Sequence, residues 1–300
     1  MKFRFNLSHL VTISFLFSLL LITSCQKENS QNGTDDQQQV EASRVSSESD
    51  GEAEIVFNGL FDDAIGVNDE VGIGGTGIFG RTLACPDITI VRLSTTGGQF
   101  PVKIIFDFGV NGCTGNDGHL RRGKIITEYS NKLLIPGATA TTTFDGFYFD
   151  STKVEGRHKI TNTSPPLNTQ PPSRQFTVDV NDAKLSKPNG NFIEWTSHKV
   201  ITQIDGLGTI LPIDDNFKVE GHANGKVKRG SLIVLWQSAI TEPLMKRFNC
   251  RWISKGRVRT IRANTTANSP WVAELDFGLG TCDNQAVVKI NGIPHQITLP

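Results

Sequence analysis

Eight runs of β-branched and aromatic residues, at 102–108, 124–129, 139–149, 176–180, 192–200, 230–236, 258–261 and 272–277, constrain this chain more than any other feature. Val, Ile, Thr and Phe at that density suit a pleated, half-buried surface. The runs recur with turn signals every ten to twenty residues, a spacing that leaves no room for long connecting helices. Asn189-Gly190, Asn224-Gly225 and Asn291-Gly292 offer the positive φ that tight hairpins need. Only residues 52–65, with Phe57, Leu60, Phe61 and Ala64 near one face, carry a helical period. The expected fold is therefore all-β: an antiparallel meander forming a β-sandwich or strongly curved sheet, with one short N-terminal helix.

Thirty basic and thirty acidic side chains in 300 residues give a formal net charge of zero. That balance argues against a nucleic-acid partner, which normally calls for a basic excess. Charged residues at 20% and apolar ones at 37% exclude a coiled coil, a multi-span membrane protein and a wholly disordered chain.

The N-terminus reads as an address. Lys2 and Arg4 precede an apolar run from Leu10 to Ile22 that is short for a membrane span, so residues 1–24 are expected to be a signal peptide. The run ends in Ile22-Thr23-Ser24-Cys25. This resembles a bacterial lipobox, and the resemblance implies cleavage before Cys25 and acylation of its thiol. Two or three acyl chains, at about 0.8 kcal/mol per buried methylene, hold a protein on a membrane durably. Gln26-Lys27-Glu28 is similar, in part, to the export signal that sends Bacteroidota lipoproteins to the cell surface. The localisation implied is the outer membrane, lipid-anchored and surface-facing, with the periplasmic face as the alternative. Residues 26–54 hold eight acidic and two basic residues and few apolar ones. Such composition predicts a disordered tether over 25–54, followed by a mildly basic β-rich domain over 55–300.

Beyond Cys25, four cysteines remain: Cys85, Cys113, Cys250 and Cys282. In an oxidising compartment an even number suggests two disulfides, with three connectivities open. An internal echo favours one. Asp107-Phe108-Gly109 lies six residues before Cys113, and Asp276-Phe277-Gly278 six before Cys282; Cys85 and Cys250 stand 28 and 32 residues upstream. The expected bridges are Cys85–Cys113 and Cys250–Cys282. A second echo, Val154-Glu155-Gly156 and Val219-Glu220-Gly221, adds to the impression of two weak repeats.

Several of these stretches, with Arg122-Gly123-Lys124, Thr143-Phe144-Asp145, Asn249-Cys250-Arg251-Trp252-Ile253 and Gly280-Thr281-Cys282-Asp283-Asn284, resemble a family of Bacteroidota lipoproteins. The likeness spans roughly 52–300, with Phe108 and Phe277 where the family often has Tyr. It implies export and a β-rich domain, and it carries no catalytic residue onto this sequence.

Motifs of catalysis are mostly decoys. Gly72-Ile73-Gly74-Gly75-Thr76-Gly77 matches a dinucleotide glycine pattern but leads into Ile78-Phe79-Gly80 instead of a helix. Gly118 to Lys124 has phosphate-loop spacing, yet Ile125 stands where a hydroxyl would bind magnesium. Asn116-Asp117-Gly118 reads as a turn, having no acidic ladder for calcium. No pair of cysteines has zinc-knuckle spacing, so neither metal nor cofactor is expected. His119, His158, His198, His222 and His295 show no nucleophile or His-Glu-x-x-His pairing. His158 and His222 follow the Val-Glu-Gly echo at offsets differing by one residue, which points them to opposite strand faces.

One stretch is less bland. Between Glu242 and Glu274 there is no acid, while seven Lys and Arg occur with Trp252 and Trp271 nearby. Arg251, Trp252, Arg257, Arg259 and Trp271 are thus a candidate patch for an acidic polysaccharide or an outer-membrane protein partner. The plain reading is a strand face balanced by acids elsewhere in the sheet. Three functions follow in order: a binding or adaptor module for an envelope or glycan ligand; a structural outer-membrane component; and an extracellular hydrolase using paired carboxylates such as Glu155 and Glu220.

Overall fold

The computed structural model describes residues 28–65, 86–115, 118–166, 174–207 and 214–300. Among these residues one helix, α1 (Glu28–Ile65), precedes fourteen strands. These are β1 (Asp87–Arg92), β2 (Val102–Asp107), β3 (Cys113–Thr114), β4 (Leu120–Tyr129), β5 (Thr139–Phe149), β6 (Thr152–Asn162) and β7 (Arg174–Ser186). The second half continues with β8 (Phe192–Asp205), β9 (Asn216–Arg229), β10 (Leu232–Arg247), β11 (Lys255–Arg262), β12 (Ala273–Leu279), β13 (Gln285–Ile290) and β14 (Ile293–Thr298). All pair antiparallel in one sheet whose order follows the chain, apart from the short β3, which pairs with β4 off the main path. Of the two architectures expected, the open curved sheet is the one formed.

The chain divides into two units, residues 1–41 and Ala42–Pro300. Residues 28–41 of the first are the opening turns of α1. In the second unit the sheet wraps the rest of α1. Along 42–61 only Arg44, Glu48, Glu52, Val56 and Gly59, spaced three or four residues apart, are half-exposed; the other positions are buried. Contacts come from strands far apart in the sheet. Phe57 stacks on Trp195 of β8 at 5.5 Å and meets Phe144 of β5 edge-on. Phe61 packs edge-on against Phe176 of β7 and Phe217 of β9. Tyr129 of β4 donates to the Ala64 carbonyl at 2.9 Å, and Ser43 to that of Trp271 at 2.6 Å.

This corrects two expectations. Residues 42–54 are helical and buried, where a tether was expected, and the helix extends well beyond 52–65. The reason is size and pairing rather than hydrophobicity. Ala42, Ser43, Ser46, Ser47, Ser49, Gly51 and Ala53 are small enough to pass close to the sheet; at Gly51 a Cβ would fall 2.9 Å from Leu275 Cδ2. The acids that made the segment look solvated are matched by the sheet: Glu48 with Arg229 at 2.8 Å, Glu52 with Lys187 at 2.9 Å and Glu54 with Lys199 at 2.8 Å. A helix so polar gains its stability from tertiary packing.

Bulges bend the sheet around α1. Register shifts fall at Arg122/Lys124, Glu155/Arg157 and Lys255/Arg257, and a bulge kinks and twists its strand. The Val-Glu-Gly echo marks such close strand approaches. Gly156 has φ +121° and Gly221 +141°, and a Cβ would lie 2.6 Å from Ala183 Cα at the first and 2.2 Å from the His198 carbonyl at the second. The Asp-Phe-Gly echo is also structural: Gly109 N–H donates to Asp107 Oδ1 and Gly278 N–H to Asp276 Oδ1, both at 2.9 Å. Each closes the same Asx turn, the first just after β2 and the second within the last residues of β12.

Cys250 and Cys282 form the expected disulfide, tying the β10–β11 turn to the β12–β13 loop. Cys113 is disulfide-bonded as well; Cys85, Cys25 and the glycines 72–77 lie outside the described residues. Two Asn-Gly pairs turn as expected: Gly190 (φ +77°) between β7 and β8, and Asn291-Gly292 (φ +49° and +78°) between β13 and β14. Asn224-Gly225 does not. It lies in the middle of β9, where Gly225 faces Trp195 and Trp236 across both neighbouring strands and a Cβ would meet the Trp236 ring at 2.4 Å.

Candidate functional site

The basic stretch 246–262 is split between the two faces of the sheet by strand alternation. Lys246, Arg251 and Arg262 are buried, whereas Arg257 and Arg259 point outward from β11. Arg257 meets three acids on adjacent strands: Asp276 at 3.0 Å, Glu242 at 3.0 Å and Glu274 at 3.8 Å. The Asp276 hydrogen bond, then the Glu242 charge, raise its pKa further. Arg259 lies opposite Glu274 and donates to the Ala267 carbonyl. The Arg251 guanidinium covers the Phe149 ring at 4.6 Å. Trp252 Nε1 donates to the Pro300 carbonyl at 2.9 Å, and Trp271 is half-buried with its carbonyl engaged by Ser43. The five residues do not assemble on one free basic face; an acid-free stretch of sequence meets its counter-charges across the strands.

A groove of about 540 Å³ lies instead over β8–β11. Glu194 and Thr196 of β8, Asn224 and Lys226 of β9, and Leu235 and Gln237 of β10 line it, with Ile261, Arg262 and Thr265 at its far side. Asn224, Thr196, Gln237 and Leu235 are outward-facing, and Leu235 is 52% exposed. Glu194, the one carboxylate among the described lining residues, stands 3.5 Å from Lys184 and 3.6 Å from Lys226. Both ammonium groups also lie over the Phe192 ring, at 4.8 and 5.4 Å. The groove therefore presents two carboxamides, two hydroxyls, a paired cation and anion, the mostly buried Arg262 and apolar side chains. These are groups suited to hydrogen-bonding and covering a polar, uncharged ligand.

The interior is polar where α1 passes. Trp195 and Trp236 both donate their indole N–H to Asp50 Oδ1, at 2.8 and 3.2 Å. Burial raises the Asp50 pKa, opposed first by the charge on Lys199. Buried His158 stacks near Phe57, and neither ring nitrogen has a partner; burial pushes its pKa down to about 4. Asp215, held by Gln203 Nε2 at 2.7 Å, is pushed up to about 6, again chiefly by burial.

The paired carboxylates of the hydrolase reading stay apart. Glu155 and Glu220 each bind a lysine of their own strand, Lys153 at 2.6 Å and Lys218 at 2.9 Å. They sit on β6 and β9, three strand spacings or roughly 14 Å across the sheet, beyond the separations that glycosidase pairs use. The histidines divide as their offsets implied: His158 is buried and His222 exposed. The near-miss phosphate loop is the start of β4. Among the described residues no helix is long and apolar enough to cross a membrane, and no group of three or more His, Cys, Asp or Glu is placed to hold a metal ion.

The sequence marks no residue of the groove as a ligand contact, and Asn224-Gly225 reads there as a turn. Its lining comes from four strands spread over some seventy residues, and only the register of β8–β11 brings them together. No known family model, curated protein or solved structure matches this chain.

Proposed function

We propose that this chain is an exported lipoprotein, anchored through Cys25 to the outer membrane, whose β-scaffold binds a glycan of the envelope or its surroundings. The groove over β8–β11 carries the reading. It is open, and it combines the carboxamides of Asn224 and Gln237 with the apolar side chains of Leu235 and Ile261. That mixture matches a sugar ring, which has hydroxyls at its edge and C–H groups on its faces. A single carboxylate already paired with two lysines favours binding over hydrolysis, since glycosidic cleavage uses two carboxyl groups in separate roles. The ion-paired state of Arg257 moves the expected contact from the arginines to this groove.

The test is a polysaccharide screen of the purified full chain, with affinity measured by calorimetry on any hit. Asn224→Ala and Gln237→Ala are expected to weaken binding about tenfold each, roughly one lost hydrogen bond to a neutral ligand. Arg257→Ala is expected to leave the affinity unchanged. No hit across the panel, or a hit lost in Arg257→Ala and kept in the groove variants, contradicts the proposal.

A further inference from the structure

We propose that His198 and His222 form a binding site for a divalent transition-metal ion of the zinc or copper class on the outer face of β8 and β9. The site adjoins the groove, one outward pair along from Thr196 and Asn224, and does not rest on the glycan reading. The two histidines are direct cross-strand partners, and their ring centroids are 5.7 Å apart with planes inclined by 37°. With metal–nitrogen bonds of roughly 2 Å, two imidazoles sharing one tetrahedral ion have centroids roughly 5–6 Å apart. The observed spacing falls within that range with the strands as they are paired.

The third strand supplies the support that metal-binding histidines normally have. Asp179 of β7 is the cross-strand partner of His198, and its Oδ1 lies 2.7 Å from His198 Nδ1. A carboxylate only accepts, so Nδ1 carries the proton and Nε2 keeps its lone pair for a ligand. A carboxylate behind a ligating imidazole fixes its tautomer and raises its basicity. His222 meets no hydrogen-bonding partner among the described residues, so neither nitrogen is committed elsewhere. Its neighbour on β10 is Ala239, too small to cover it. His198 is 48% exposed, leaving room for the waters that complete the coordination. Two imidazoles with water describe a labile capture site, where nitrogen ligands favour copper over zinc.

Titration of the untagged, metal-stripped full chain with Zn²⁺ and with Cu²⁺ tests this. One ion per chain is expected, with Cu²⁺ bound more tightly and two imidazole nitrogens coupled to the copper in its electron paramagnetic resonance spectrum. His222→Ala is expected to lower affinity at least tenfold and leave one coupled nitrogen. Asp179→Asn, which keeps both ligands, is expected to weaken binding about tenfold, the usual range for losing such support. His119→Ala, in the loop just before β4, serves as the control and is expected to change nothing. Unchanged affinity in His222→Ala, or a copper spectrum without imidazole coupling in the parent, overturns the proposal. Asp179 and His222 occupy outward positions of their strands, so unchanged thermal unfolding without metal will separate loss of the site from loss of the fold.

Discussion

His158 shows how much depends on one side chain under α1. Its imidazole is fully buried with no hydrogen-bond partner, so the neutral form is the one the fold accepts. In the unfolded chain it gains a proton near its ordinary 6.5, whereas in the folded protein it resists until about 4. Between those values the unfolded state binds more protons, so this residue withdraws stability as the pH falls. Asp50 and Asp215, whose pKa values burial raises, act with the opposite sign. A comparison with His158→Phe isolates the histidine. From pH 7.5 to pH 5 the wild type is expected to lose about 2 kcal/mol relative to that variant in urea unfolding. Parallel stability curves for the two proteins would show that His158 is not buried neutral.

At the scale of elements, α1 and the sheet are matched by charge as well as by shape. Lys199 and Glu54 are each only 4% exposed, and Asn58 donates a further hydrogen bond to Glu54 at 2.9 Å. Removing one partner of such a pair strands a buried charge, whereas removing both does not. Lys199→Met is therefore expected to cost about 3–5 kcal/mol, and Lys199→Met with Glu54→Met to recover most of it. Equal losses in the single and double variants, measured by urea unfolding, would place the pair in solvent instead.

Elements also differed in how legible they were. Thr139–Phe149 is read correctly to the residue because its β-branched and aromatic content is dense. β9 is missed because its outward positions carry Lys, Glu, His and Asn, and its Asn-Gly imitates a turn while Gly225 makes space for Trp236. Residues 42–51 of α1, unlike 52–65, are missed for a related reason: apart from Val45 their inward positions are Ser, Ala, Gly and Asp, so no apolar period records them. The basic patch misleads because pairing partners such as Asp276 are set by register, which a linear sequence does not display.

For the whole molecule, the fold is a meander that bends, through bulges, around a helix from its own N-terminal region. Filling the concave side with α1 leaves the outer face as the surface for ligands, and both the groove over β8–β11 and the His198–His222 pair lie there. Core membership of α1 is the premise on which this arrangement stands. Native-state hydrogen exchange of the full chain tests it most directly, because protection reports the free energy of opening each segment. Amides of residues 45–61 are expected to exchange only with global unfolding, at the same rate as the central strands β7–β10. Exchange of those amides within seconds, beside a protected sheet, would contradict the account and return the segment to the role of a tether.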